Sequence, residues 1–247
     1  STQGYSSAAS DVYKRQMGYS DNTNLIFLLA TLTDTAAIYG PNAGAFGMEP
    51  WHASIQDAYE LLQGKKFEMQ NYPMWEKESL KDEEHPLAAY HVTEPFVLHT
   101  NKKEGESFKI EGRLLGGCLD CLSHLRGTKF DKVKEFNQKY EDDGILWFLE
   151  SCDLNVFEMR RTLWSLKQAG WFDTCRGFLI GRLAVQGQII AGLDQYEAVL
   201  SILSEFDVPI FMDLDIGHVA PMIPLICGSY GKVTVVGNDC CIAMSLQ

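Results

Sequence analysis

The sequence contains no long hydrophobic run. The longest near its start, Leu25 to Leu32, is broken by Thr31 and falls far short of the roughly 20 apolar residues that span a bilayer. No membrane partner is therefore expected. Basic residues are scarce: 21 Lys and Arg face 33 Asp and Glu, a net charge of −12. A nucleic-acid-binding domain carries a clustered basic face. None is found here, so nucleic acid is excluded as a partner and a polyanionic substrate is disfavoured, whereas a small zwitterion or peptide is not. The densest charge run, Glu76 to His85, is mainly acidic and reads as a solvated face. No internal repeat is visible. A hydrophobic content of 46% with 22% charged residues excludes disorder, collagen and a disulfide miniprotein. The 247 residues are enough for one large or two small domains.

Paired metal-ligand spacing is also lacking. There are seven cysteines, at 118, 121, 152, 175, 227, 240 and 241. The number is odd and most have apolar neighbours, which suits reduced, buried thiols in a cytoplasmic protein. Cys118-Leu-Asp-Cys121 has metal-like spacing, but no second such pair or paired His follows at finger spacing. It reads as two core-facing thiols at a helix start, and no metal or organic cofactor is expected.

Residues 1–16 are small and polar, without a period of 2 or 3.6 and without the basic-then-apolar order of a signal peptide. The string is similar to a translated sequencing adapter. It is expected to be a non-native artefact, with native sequence beginning near Met17 in mid-domain. Beyond it, Ser20 or Asp21 reads as the cap of a helix over the apolar stretch from Leu25. Ile38 to Pro41 reads as a short strand, and 54–63 as an amphipathic helix capped by Ser54 and stopped by Gly64. Residues 68–107 are irregular and rich in charge, Pro and aromatics, as a linker or long functional loop would be. From 108 onward strands and helices alternate: a strand over 108–115, a helix over 119–125, a helix over 132–140, a doubly buried strand over 145–149, a helix over 156–169, and a strand over 177–181. A helix over 196–206 and strands over 208–212 and 232–236 complete the pattern. This is α/β architecture. The expected organisation is residues 17–67 as the remnant of an N-terminal domain, 68–107 as linker, and 108–247 as a C-terminal domain.

Ser20, Glu150 and His218 each sit at an expected strand end beside a helix start or loop, where sites gather in open α/β sheets. A weak nucleophile, a base and an orienting acid make a hydrolytic set. Local patterning leaves the bland readings open: Ser20 as a cap, Glu150 as a strand-end charge near Arg160 or Arg161, His218 as a loop residue. The G-x-S-x-G elbow is not met, because Asn22 replaces the last Gly.

Five blocks in order, Gly18-Tyr-Ser-Asp-Asn-Thr-Asn-Leu25, Tyr39-Gly-Pro41, Gly112-Arg-Leu-Leu-Gly-Gly-Cys-Leu119, Leu146-Trp-Phe-Leu-Glu150 and Asp213-Leu-Asp-Ile-Gly-His218, change that weighting. Together they resemble the serine peptidase family of the LD-carboxypeptidases and microcin C self-immunity (MccF-like) peptidases, from Met17 to the last strand. The resemblance implies a partial Rossmann-like N-terminal domain carrying the nucleophile and a C-terminal α/β domain of the swivelling β/β/α type. It implies Ser20 as nucleophile, His218 as general base, Glu150 as its orienting acid, and the Asp21 backbone N–H as an oxyanion donor. It implies a small peptide or peptidyl-nucleotide substrate, no cofactor, and a homodimer. The long stretch between Tyr39 and Phe108 is similar to the microcin-type branch, whose aromatic-bearing loop contacts a nucleotide. Trp75 and Tyr90 are the candidates for that stacking, or else anchors of the loop. Arg113 and Arg182 are candidates for a substrate carboxylate, or for structural ion pairs. Two departures are plain: the family's upstream Gly-rich oxyanion turn does not precede Gly18, and Cys118 stands where Asn is common. The competing expectation is a catalytically incompetent fragment or a non-catalytic binding module of the same fold.

Overall fold

The computed structural model describes residues 16–102 and 106–246; the expected artefact, apart from Gln16, lies outside them. A mixed sheet of eight strands forms the centre. Its middle is four parallel strands: β7 (Ser107–Cys118), β8 (Ile145–Glu150), β9 (Cys175–Gly181) and β10 (Ile210–Leu214). An antiparallel hairpin of β12 (Tyr230–Val236) and β13 (Asp239–Ser245) extends it beside β7. The two outer strands, β3 (Glu68–Gln70) and β6 (His99–Thr100), come from the irregular 68–107 segment. That segment also folds on itself as β4 (Met74–Trp75) against β5 (Glu94–Pro95). A separate three-stranded sheet joins β1 (Met17–Gly18), β2 (Ala37–Tyr39) and β11 (Leu225–Cys227). Chain from both ends of the sequence thus closes the small sheet.

Burial follows pairing. β7 alternates exposed and half-buried over its first half, where it pairs antiparallel with β12. It is continuously buried from Gly112 to Cys118, where β8 pairs beside it in parallel. All six residues of β8 are buried, as expected of a parallel strand covered on both faces. The helices are α1 (Thr23–Thr33), α2 (Ala53–Leu62), α3 (Leu119–Leu125), α4 (Val133–Lys139), α5 (Val156–Gln168) and α6 (Gln195–Leu203). Capping fixes the start of α5, where Asn155 and Glu158 form a reciprocal capping box. The cap of α2 is His52, whose Nδ1 accepts from the Ser54 N–H, so the cap lies two residues before the expected Ser54. The hairpin strand β13 was not anticipated, although the Gly237-Asn238 tip, with Gly237 at φ +60°, is a turn signal. Among the described residues no helix is long and apolar enough to cross a membrane.

The core ties the head of α1 to the large sheet. Phe27 of α1 stacks on Trp171 at 5.3 Å, and Trp171 stacks on Trp147 of β8 at 5.9 Å. All three rings are essentially excluded from solvent. Burying such a side chain contributes about 1.5–3 kcal/mol, so the helix that carries the Ser20 turn is held rigidly over β8, the strand that ends in Glu150.

Candidate active site

Between β1 and α1 the chain makes a single 3-10 turn, Ser20–Asn22. Neither Ser20 nor Asp21 caps the helix: α1 begins at Thr23 without a side-chain cap bond, because the turn stands where a cap would. Ser20 instead has φ +60°, a left-handed conformation uncommon for non-glycine residues. Such backbone strain clusters at functional sites, and a strand, a strained Ser and a helix in succession are the architecture of a nucleophile elbow. Asn22, which replaces the expected Gly, braces the turn: its Nδ2 donates to Tyr19 O at 3.2 Å and to Asn42 Oδ1 at 3.1 Å. The Asp21 N–H lies at the head of this helix, where backbone donors lack intrahelical acceptors.

The Gly116-Gly117 pair lets α1 sit on the end of β7. A Cβ at Gly117, φ +145°, would come within 2.6 Å of the Thr23 methyl, and the next N–H, of Cys118, donates to Thr23 Oγ1 at 3.1 Å. The strand ends then bring the remaining groups together. Glu150, the last residue of β8, is fully buried, and its Oε2 meets His218 Nδ1 at 2.8 Å. A carboxylate only accepts, so Nδ1 carries the hydrogen and Nε2 keeps its lone pair. The other oxygen, Oε1, accepts from the Tyr39 hydroxyl at the end of β2. Burial, then the nearby Glu150 charge, push the Tyr39 phenol well above its ordinary range, so it stays a neutral donor. Gly217, φ +98°, makes the approach of His218 possible: a Cβ there would lie 2.4 Å from Glu150 Cγ. The Tyr19 ring meets the His218 ring edge-on at 4.8 Å, placing the residue before Ser20 against the imidazole. For His218, burial alone would lower the pKa. The hydrogen bond and charge of Glu150, with Asp120 and Asp153 behind, outweigh it, and the net shift is upward from 6.5.

Tyr19, Gly217 and His218 open onto a cleft of about 370 Å³, whose other walls include Asn42, Glu76, Lys81 and Tyr90. Tyr90, one of the two stacking candidates, lines this cleft, with Lys81 Nζ over its ring at 5.0 Å. Trp75 is not among the cleft-lining residues. Its indole N–H donates to Pro95 O at 3.2 Å, and the Arg182 guanidinium covers its ring at 4.7 Å, so it anchors the loop. Arg113 is not brought to the cleft either. Its Nε is committed to Asp143 at 2.7 Å and its guanidinium lies over Tyr140, near Gly144 and away from the Cys118 end of β7. Arg182 is almost fully buried; its Nη1 meets Asp215 Oδ1 at 2.9 Å. The approach is too oblique for an aligned hydrogen bond, so it is an ion pair by charge alone. Cys118 and Cys121 are both buried free thiols. Donation to the Cys121 sulfur, then burial and the Glu150 charge, push the Cys118 thiol far up. A protonated thiol is not a nucleophile, so Cys118 does not compete with Ser20 for that role. Tyr39 is the functional residue that local patterning missed: its bond to Glu150 spans 111 residues of sequence, and only its place beside Gly40-Pro41 marked it.

Residues 111–233 match the LD-carboxypeptidase C-terminal domain. The Escherichia coli microcin C7 self-immunity protein MccF is 25% identical over 219 residues, 86% of this chain and 60% of its own length. An MccF-like protein from Streptococcus pneumoniae, solved in complex with AMP, has a TM-score of 0.71 at 21% identity, over 93% of this chain and 68% of that one. A muramoyltetrapeptide carboxypeptidase from Oxalobacter formigenes has a TM-score of 0.61 at 18% identity, over 93% and 67%. At these identities the structural likeness concerns the fold. The chain spans 60–64% of the length of the curated relatives it matches.

Proposed function

Because the chain belongs to the MccF-like LD-carboxypeptidase family, we propose that it works as a serine carboxypeptidase-type amide hydrolase through Ser20, His218 and Glu150. The observation that carries the reading is the buried Glu150 carboxylate bonded to His218 Nδ1, with Tyr19, the residue before the strained Ser20, meeting the His218 ring. In this mechanism Ser20 Oγ attacks the amide carbonyl while His218 Nε2 takes its proton. Glu150 stabilises the resulting imidazolium, as the acid of a triad does. The Asp21 N–H donates to the developing oxyanion, a contribution of about 10²–10³ in rate per donor. His218 returns its proton to the leaving amine, and a water activated by the same base releases the acyl group.

The cleft suits a small substrate. Two chemistries fit the family: the L–D amide bond of a muropeptide, and a peptidyl- or aminoacyl-nucleotide antibiotic. The Tyr90 ring with Lys81 over it on the cleft wall favours an aromatic base and its phosphate for the second. Turnover of a murein tetrapeptide and of an aminoacyl-sulfamoyl nucleoside, assayed side by side on the full-length gene product, separates them. A cytoplasmic location, a homodimer, and residues 17–67 and 108–247 as separate domains belong to the same proposal. The alternative is a non-catalytic binding module, which would bind one of these ligands without turnover.

The base gives a pH test. Only neutral His218 accepts the serine proton, and its pKa lies above 6.5. Activity is therefore lost as pH falls, and the acid limb of kcat/KM, which reports the free enzyme, has its midpoint above 6.5. A midpoint at or below 6.5 contradicts the Glu150–His218 coupling.

Tyr39 is a positioning residue in this scheme. Tyr39→Phe leaves Glu150 Oε1 without its buried donor, a loss of about 1–3 kcal/mol. We expect kcat to fall about 10-fold or more with little change in KM, and the acid limb to move further up as the Glu150 charge concentrates on His218. Unchanged kcat and an unmoved limb would assign Tyr39 to packing alone.

A further inference from the structure

Cys118 and Glu150 are paired residues at the ends of neighbouring parallel strands, β7 and β8. His218 comes onto the same point from the loop after β10. One ligating atom from each of the three lies within 4.8 Å of the others. We propose that Cys118, Glu150 and His218 form a binding site for a single thiophilic divalent cation of the zinc class, and that occupancy of this site blocks the base.

The donor set is one sulfur, one imidazole nitrogen and one carboxylate oxygen. That mixture suits zinc and its neighbours; calcium and magnesium take oxygen ligands. A tetrahedral zinc with bonds of about 2.0–2.3 Å separates its ligand atoms by about 3.3–3.7 Å. The widest gap here therefore closes by about 1 Å, a side-chain adjustment that needs no strand to move. The sheet pairing sets Cys118 against Glu150, and the hydrogen bond between Glu150 and His218 already holds the third ligand near the second. Three protein ligands leave one position for water or for the sulfur of Cys121, three residues on from Cys118. His218 lines the cleft, so a hydrated ion has a way in. Binding releases the Cys118 proton to solvent, as zinc–thiolate sites require. The bound ion then takes the place of the proton between His218 and Glu150, or claims the imidazole lone pair. In either arrangement His218 cannot accept a proton from Ser20. The short sequence spacing of Cys118 and Cys121 hints at a metal without identifying the ligands, because the other two come from 32 and 100 residues further along the chain.

Metal binding itself does not depend on the hydrolase reading; only the blocking of Ser20 does. The test is titration of the chelator-treated full-length protein with Co²⁺, followed by absorbance. One equivalent should give intense tetrahedral visible bands and an ultraviolet thiolate-to-cobalt band, both removed by Zn²⁺. Cys118→Ser should lose the thiolate band and weaken Zn²⁺ binding by more than about 100-fold, beyond the cost of losing an outer-shell partner. Cys121→Ser should keep the site. His218→Ala, with melting temperature checked for each variant, should weaken binding comparably while leaving both thiols. No uptake by the folded wild type overturns the site, as does a thiolate band that survives in Cys118→Ser, or His218→Ala binding like wild type. One equivalent of Zn²⁺ should also prevent fluorophosphonate labelling of Ser20 in the wild type and not in Cys118→Ser. Cobalt uptake with undiminished labelling overturns the blocking role. Cobalt uptake in a protein that never labels overturns the hydrolase reading and leaves the site standing.

Discussion

Replacing Ser20 with alanine is expected to lower kcat by about 10⁴–10⁶, the range seen when a serine triad loses a member, while the protein unfolds at nearly the same denaturant concentration. The reason is geometric. Ser20 is held at φ +60° between a strand and a helix whose first turn offers the Asp21 N–H. The helix behind it is pinned to β8 through Phe27, Trp171 and Trp147. Losing Oγ removes the attacking group of the proposed mechanism, and leaves substrate binding and the Glu150–His218 pair in place. KM should therefore change little. Ala at a positive φ costs about 1 kcal/mol, but Ser20 already bears that strain, so stability stays near wild type. Steady-state kinetics on the full-length protein checks this; a loss of less than about 10-fold would move the chemistry away from Ser20.

The second large effect concerns stability. Arg182→Leu is expected to lower the unfolding free energy by about 3–5 kcal/mol, the cost of leaving a buried charge without its partner. Arg182 and Asp215 are both almost fully buried, and their side chains meet at 2.9 Å. Asp215 also accepts the Tyr72 N–H at 2.8 Å, and its carbonyl takes the Ile223 N–H. It thus fastens the 68–107 segment to the loop that carries His218. Burial pushes Asp215 up to about 6, against the pull of Arg182 and the Tyr72 N–H. A carboxyl raised on folding favours the folded state below its ordinary 3.8, and that contribution is lost as pH rises through about 6. At neutral pH the buried acid is therefore a cost that Arg182 limits. Arg182→Leu with Asp215→Leu should recover most of the lost stability, since an apolar pair often replaces a buried ion pair without penalty. Urea denaturation of the two variants at pH 7 separates the cases. A single-variant loss under about 1 kcal/mol would mean that the pair contributes nothing.

The regular half of the fold was legible in the sequence because the signals were local. The apolar run 145–149 marked a doubly covered strand, and the helix read over 156–169 is observed as Val156–Gln168. Gly170, at φ +78°, a conformation that favours glycine, follows that helix's end. The 68–107 segment was opaque for the opposite reason. Its strands are two or three residues long: β3 and β6 exist because the edges of the larger sheet receive them, and β4 and β5 pair only with each other. The site was legible in outline through five ordered blocks, yet its connections were not. The Tyr39–Glu150 and His218–Glu150 bonds join residues 111 and 68 positions apart, distances that carry no periodicity. Arg113 and Arg182 looked like substrate ligands because arginine suits carboxylates. The structure gives each an internal carboxylate instead.

Mapping where a fluorophosphonate attaches to the wild-type protein tests the triad most directly. The full-length protein is labelled at pH 8, digested, and the modified peptide sequenced by mass spectrometry. A single adduct on Ser20, formed more slowly as pH falls through a midpoint above 6.5 and absent in His218→Ala, is the predicted result. An adduct on another residue, or none in a folded protein that binds its ligand, would contradict the serine mechanism and leave a binding module of the same fold.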